Sequence, residues 1–470
     1  MPTSQAESSL AIQIVKKILP SPFTIAILLT LFTFGIALIG TKPTEMSEGA
    51  YLLKLVTAWE SGLWDNSGGG LYFAFQMMLI LVLGHILALT PLVNRLIQAL
   101  LKYCNTTSSS VLIVSFGAIA LGLINWGLGL IFGSIIARKV GEKFALNNRP
   151  LNYGLIGAGA YASMMTWHMG LSGSATTKSM EIGYIREMMV RANIPGDYPA
   201  QVPFNATIGS TMNIVLIGIS IIMIPLVLYI VSKKIKDEKV PTFDDLHESM
   251  PTTDSEVIRG MERLDYSRYF GMSLGAGFLL YAFYQAYHYS GDSALGFIQL
   301  NYINFVFLGL SLFLHGSIQN FSHALQTAIG DVSGILIQFP FYFGILAIMN
   351  SSGLIILLSD MITTFANAHT LPFLTFISAG IVNIFIPSGG GQWAVQGPVI
   401  IETTRQLGAE LPKTILAMAY GDQWTNMLQP FWALPLLGIT RLKPQQLLPY
   451  SFLVFLLGAL IFGIGLLVAG

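Results

Sequence analysis

The feature that most limits what this chain can fold into is a succession of long runs almost free of charge. They cover Pro22 to Gly40, Phe73 to Asn94, Val111 to Ala137, Asn152 to Thr177, Phe204 to Ser232 and Tyr269 to Gly291. The theme then resumes in Tyr302 to Gly316, Val332 to Met349, Leu371 to Ile401, Thr414 to Leu437 and Gln445 to Gly470, with Asp422 as the one acid inside a run. About 20 apolar residues suffice to cross the hydrocarbon of a bilayer as a helix. Backbone amides have no water to bond to there, so the crossing segments must be helical. With 53% hydrophobic and 10% charged residues, against roughly 25% charged in soluble domains, a water-soluble globule is excluded. The chain reads as an all-α polytopic membrane protein. The first run follows Lys16 and Lys17 and is read as an uncleaved span; no lipidation or targeting motif stands out at either end.

Charge removes further classes. Basic and acidic residues balance at 24 each, whereas a nucleic-acid binder needs a basic excess. No nucleic acid partner is expected; the lipid bilayer is. The lone Cys104 has no partner for a disulfide or a metal site. No cofactor or metal is expected beyond a coupling ion.

Lys and Arg concentrate on cytoplasmic loops of membrane proteins, and this rule exposes an anomaly. Arg95 and Lys102 precede the run 111–137, while Arg138, Lys139, Lys143 and Arg149 follow it, so both flanks are basic. A re-entrant hairpin turning at Asn125 to Gly129 keeps both flanks inside. If the run 371–401 re-enters from the other side, only Lys42, Lys54, Lys178, Arg186, Arg191, Arg405 and Lys413 of the 24 basic residues lie outside. The expected topology is about nine full spans and two hairpins, with the N-terminus in the cytoplasm. Residues 1–232 form a first membrane half, 233–268 a solvated cytoplasmic linker, and 269–470 a second half.

The halves echo each other. Asn125 precedes Tyr161 at nearly the spacing at which Asn383 precedes Tyr420; each tyrosine follows an alanine, and a threonine lies five residues on, Thr166 and Thr425. Together with opposite hairpin entry from the two faces, this describes an inverted-topology repeat with broken helices near 152–177 and 414–437. Secondary transporters place substrate at the midplane of such repeats.

Two glycine-rich tips carry the candidate binding residues: INWGLGLIFGS from Ile124 and IPSGGGQWAVQGP from Ile386. Non-helical backbone at membrane depth is tolerated only where protein or a water-filled cavity satisfies it. Gly389, Gly390 and Gly391, between Pro387 and Gln392, read as a ligand-facing turn rather than a helix. The interrupted helices carry TWHMGLSGSA from Thr166 and AYGDQWTNMLQPFWALP from Ala419, the second broken at Pro430. Candidate substrate contacts are Asn125, Gly127, Gly129, Ser172, Gly173, Ser174, Ser388, Gly389, Gly390, Gly391, Gln392, Trp393, Gln423, Trp424 and Asn426. No Lys or Arg lies deep in a run, so an anionic ligand must be met by half-helix N-termini, free amides, a co-bound cation or a proton. Asp422 is the candidate for handling the coupling ion, because an acid at this depth is costly enough to be retained for function. His85 and His168 read as hydrogen-bonded packing. Trp126, Trp167, Trp393, Trp424 and Trp432 fall in the tips and broken helices and suit a ligand with a short apolar tail; Trp393 and Trp424 are favoured.

On INWGLGL, LSGS, IPSGGGQWAVQGP and AYGDQWTNMLQPFWALP, in that order, the chain resembles the bacterial short-chain fatty acid transporter family of the ion-transporter superfamily. The resemblance implies uptake of short monocarboxylates such as acetoacetate or butyrate across the cell inner membrane, by ion-coupled symport. Proton and sodium both remain open as the coupling ion. A homodimer is implied by the superfamily alone.

Two other readings compete. Gly170, Leu171, Ser172 and Gly173 spell the GxSG of rhomboid intramembrane serine proteases, with His315 downstream. Hairpins and glycine-rich tips also line passive anion channels.

Overall fold

The computed structural model describes residues 22–64, 70–191, 194–235, 237, 239–243, 260–290, 297, 300–354, 357, 364–385 and 389–468. Ser388, one of the candidate contacts, lies outside them. The regular structure among the described residues is helical, apart from a single isolated bridge between Leu151 and Lys239.

In the first half, α1 (Pro22–Gly40), α2 (Glu48–Leu63), α3 (Gly70–Ala88) and α4 (Pro91–Leu101) lead to α5 (Thr107–Ile124) and α6 (Trp126–Leu146). After these come α7 (Tyr153–Tyr161), 3-10 turns at Ala162–Met165 and Trp167–Met169, α8 (Ser174–Met180), α9 (Tyr184–Arg191) and α10 (Thr211–Lys234). The second half begins with α11 (Arg263–Tyr266), α12 (Arg268–Tyr287), α13 (Leu300–His315), α14 (Ile318–Ala328) and α15 (Ser333–Ser352). It ends with α16 (Leu371–Phe385), α17 (Gly389–Leu407), α18 (Leu411–Thr425), a 3-10 turn at Asn426–Leu428, α19 (Pro430–Thr440) and α20 (Pro444–Val468). Toward both ends of this order a helix pair (α5 and α6; α16 and α17) precedes an interrupted helix and a long final helix.

The helices sort into two groups. α15 packs on α1 and α2, and α13 on α3 and α12. The other group holds α5 against α6, α7 and α10, and α16 against α18, with α20 laid across α7 and α18. Among the described residues, α5, α10 and α20 are long and apolar enough to cross a membrane. The first tip structure is longer than its uncharged run, because α6 continues helically through Arg138, Lys139 and Lys143.

Charge hid α2 from the sequence reading. It carries Glu48, Lys54 and Glu60, yet Ser47 caps it and Tyr51 and Leu55 are buried. The polar segment after α10 is also tied down where it begins. Asp237 accepts from Thr107 at the start of α5 and from the Asn152 amide just before α7, and the Phe243 ring lies 4.1 Å from the Arg138 guanidinium.

Candidate functional site

Each helix interruption has a local cause. Asn125 is the C-cap of α5 and the N-cap of α6 at once; its backbone is extended, at φ −152° and ψ 130°. Its Oδ1 accepts from the Gly127 and Leu128 amides at 2.9 and 3.3 Å, meeting two of the four amides that a helix start leaves unpaired. The GLSG segment is held against this tip. The Leu171 amide donates to the Leu123 carbonyl at 2.7 Å, and the Trp126 amide to Ser172 Oγ at 3.1 Å. Only glycine fits at 170, where a Cβ would stand 2.2 Å from the Leu123 carbonyl oxygen. In the second half, Gln429 is extended and Pro430 opens α19, since proline cannot donate to the preceding turn.

The two interruptions satisfy each other's backbone. Tyr161 Oη lies 2.7 Å from the Asn426 carbonyl and 3.0 Å from that of Gln429. Tyr420 Oη lies 2.9 Å from Asn213 Oδ1, and the Asn213 amide donates to the Met169 carbonyl at 3.0 Å. The matched tyrosines thus fasten matched breaks. The matched asparagines diverge: Asn125 sits at a tip, whereas Asn383 lies within α16. The Asn383 amide nitrogen is 2.7 Å from the Asp422 carbonyl and 2.9 Å from both Thr425 Oγ1 and Asn426 Oδ1.

At the centre, His168 from the first break meets Asp422 from α18, Nδ1 to Oδ2, with both residues at most 1% exposed. The Ala175 amide donates to His168 Nε2 at 3.0 Å. That nitrogen therefore carries a lone pair, so the ring proton sits on Nδ1 and is donated to the carboxylate. Gln423 Oε1 accepts from the His168 and Met169 amides at 3.0 and 3.1 Å and fixes the loop that presents the ring. Asp422 Oδ1 is buried and, among the described residues, accepts no hydrogen bond. Nor does any Lys or Arg among them pair with this acid.

The start of α17 rests on this pair. The three glycines 389–391 are helical, which corrects the turn expected from their composition. The reason is contact: a Cβ at Gly389 would stand 2.7 Å from the Trp167 ring, 2.9 Å from His168 Cε1 and 3.0 Å from Asp422 Oδ2. Gly390 is exposed, with Ser174 Oγ 3.8 Å from where its Cβ would be. The Trp167 ring stacks on His168, centroids 4.4 Å apart, and Trp126 and Trp432 meet it at 6.4 and 6.2 Å.

The candidate residues therefore divide. Asp422, Gln423, Ser174, Gly389 and Gly390 gather about His168. Gly129 lies in the seam between α5 and α6, where a Cβ would stand 2.5 Å from Gly122, and Gly173 lies against the His168 carbonyl. Gln392 donates to the Ala379 carbonyl and to Gln396 at 2.9 Å each. Trp393 is buried in a second core with Met188, Ile401 and Met418. Trp424 stacks between Phe376 and Phe455 and donates to the Phe455 carbonyl at 2.9 Å. The sequence reading took His168 as packing; its partner lies 254 positions away, so nothing local could signal the pair. Ser172 receives the Trp126 amide, His168 is engaged with Asp422 and Ala175, and His315 lies near the Ile86 carbonyl, so the GxSG serine has no base of the protease kind among the described residues.

Residues 5–469 match the family described as short chain fatty acid transporter. A Haemophilus influenzae protein named as a candidate short-chain fatty acid transporter is 35% identical over 460 residues, which cover 96% of this chain and 97% of that one. An Escherichia coli protein of the same description is 35% identical over 467 residues, with the same coverage. Among solved structures, the YdaH transporter of Alcanivorax borkumensis is 17% identical with a TM-score of 0.42, over 95% of this chain and 98% of that one. MtrF of Neisseria gonorrhoeae, described within a class of antimetabolite efflux pumps, is 16% identical with a TM-score of 0.42, over 96% and 97%. Likeness at that level carries no argument about this chain.

Proposed function

Because the chain belongs to the short-chain fatty acid transporter family, we propose that it carries short monocarboxylates such as acetoacetate or butyrate by symport with a proton. The observation that carries this reading is the buried His168–Asp422 pair beneath Gly389, where both interrupted helices meet the start of α17. An ionised Asp422 repels a carboxylate, and in a site shielded from water that repulsion is strong. A proton on Oδ1 removes it. Substrate and proton then enter together, because each lowers the cost of the other. The Ser174 hydroxyl, which faces Gly390 at the start of α17, supplies a donor for the anion.

One observation favours sodium as a second reading. Asn383 Oδ1 and Gln429 Oε1, like Asp422 Oδ1, are buried oxygens without a donor among the described residues, and oxygen ligands suit a hard cation.

The architecture that goes with this reading is an inverted repeat of about nine spans with two re-entrant hairpins. It lies in the inner membrane of a bacterial cell with the N-terminus in the cytoplasm. Reporter tags at Asn147 and Gly408 face opposite sides in this arrangement; tags on one side refute it. Uptake of radiolabelled butyrate and acetoacetate into proteoliposomes, with proton and sodium gradients imposed separately, tests the function. Accumulation driven by the proton gradient is the expected result. Accumulation with sodium alone moves the coupling to the second reading, and equilibration without a gradient indicates a channel.

A further inference from the structure

Trp167 was one of five tryptophans expected to suit an apolar tail, though not one of the two favoured, and its surroundings give its polar edge a role. Its indole Nε1–H is buried and has no acceptor among the described residues, at 2% exposure. A buried donor without a partner is uncommon and costly. Indole donates only, so whatever completes it must bring an acceptor. Trp59 and Trp393 share the condition, but Trp59 packs on Gly344 and Phe341, and Trp393 belongs to the second core. Trp167 alone of the three touches the His168–Asp422 pair, through the 4.4 Å stack and the shared border at Gly389.

At Gly389 the border is formed by the benzo edge of Trp167 and by Asp422 Oδ2; the other polar atoms of the same two side chains, Trp167 Nε1–H and Asp422 Oδ1, are a donor and an acceptor without partners among the described residues. One chemical group complements both: a carboxyl with its proton. One oxygen accepts from the indole, and the proton is shared between the other oxygen and Asp422 Oδ1.

Building on the carrier reading above, we propose that Trp167 is a substrate-binding residue whose indole N–H donates to the carboxylate of the carried acid. The stack sets the indole against the imidazole that is bonded to Asp422, and Trp126 and Trp432 continue the aromatic surface.

The test replaces Trp167 with benzothienylalanine, which keeps the bicyclic shape and exchanges N–H for sulfur, and measures butyrate uptake kinetics in proteoliposomes. Trp167→Phe serves as a second variant and Trp59→Phe as a control. The expected result is a KM raised about tenfold with Vmax retained in both Trp167 variants, the low end for a hydrogen bond to a charged acceptor, and an unchanged KM in Trp59→Phe. An unchanged KM in the benzothienylalanine protein, with wild type transporting, overturns the inference and leaves the carrier standing. A wild-type protein that moves no short monocarboxylate overturns the carrier reading itself, and this inference with it.

Discussion

The two tips, built from similar sequence, leave their polar groups in opposite conditions. At the first, Asn125 caps α6, Ser172 receives the Trp126 amide and Leu171 bonds the Leu123 carbonyl. Around the second, Asn383 on α16, Gln392 on α17, Asp422 on α18 and Gln429 at the second break each keep a buried side-chain oxygen without a donor among the described residues. The glycines differ in the same sense: Gly129 and Gly170 let backbone meet backbone, while Gly389 lets α17 touch an acid, an imidazole and an indole. A polar group that is satisfied in the resting fold stabilises it, and one that is not is available to a ligand. On the proposed reading, this difference makes the first tip a fixed frame and the region around α17 the part that binds.

The largest expected effect that bears on this contrast comes from Asp422→Asn. Gradient-driven uptake in proteoliposomes falls to background, because the amide cannot take up the proton; uptake that keeps its gradient dependence removes the second tip from the mechanism. Next is Gly389→Ala. Crowding a packed site costs about 1–3 kcal/mol, so uptake drops by roughly tenfold in the same assay, while a normal rate means that α17 does not need to seat on the pair. His168→Ala leaves the carboxylate buried without its donor and lowers unfolding stability by about 3 kcal/mol. Adding Asp422→Asn recovers part of that loss, and a thermal-melt cycle in which the two changes simply add breaks the assigned coupling. The smallest effect is Asn125→Ala. A lost N-cap costs about 1 kcal/mol, and the accumulation ratio under a gradient stays close to that of wild type. A collapse of that ratio would give the first tip a share in the work.

Much of this was legible in the chain. The uncharged runs gave the helices, and the Asn, Tyr and Thr spacing pointed to both interruptions, although glycine and proline alone do not mark them: Gly389 to Gly391 and Pro398 lie within α17. The charged α2 was missed because tertiary packing against α15, and not apolar continuity, keeps it in place. Trp424 and Trp393 were taken for a ligand wall on composition. Whether an indole faces a ligand or a phenylalanine depends on which helix is beside it, and for Trp424 the neighbours are Phe376 and Phe455.

Sequence by itself determined that the chain is helical, that it belongs in a bilayer, that breaks fall after Tyr161 and before Pro430, and that Asp422 is an acid inside an uncharged run. These follow from local rules of hydrophobicity and backbone bonding, which act over a few turns. Only the tertiary structure brought His168 to Asp422 and Trp167 to Gly389, and only it showed which amides and oxygens were already paired. Hydrogen bonds and stacks between residues more than 200 positions apart have no period and no spacing to read. They exist because close packing of the two halves leaves each polar group one set of neighbours.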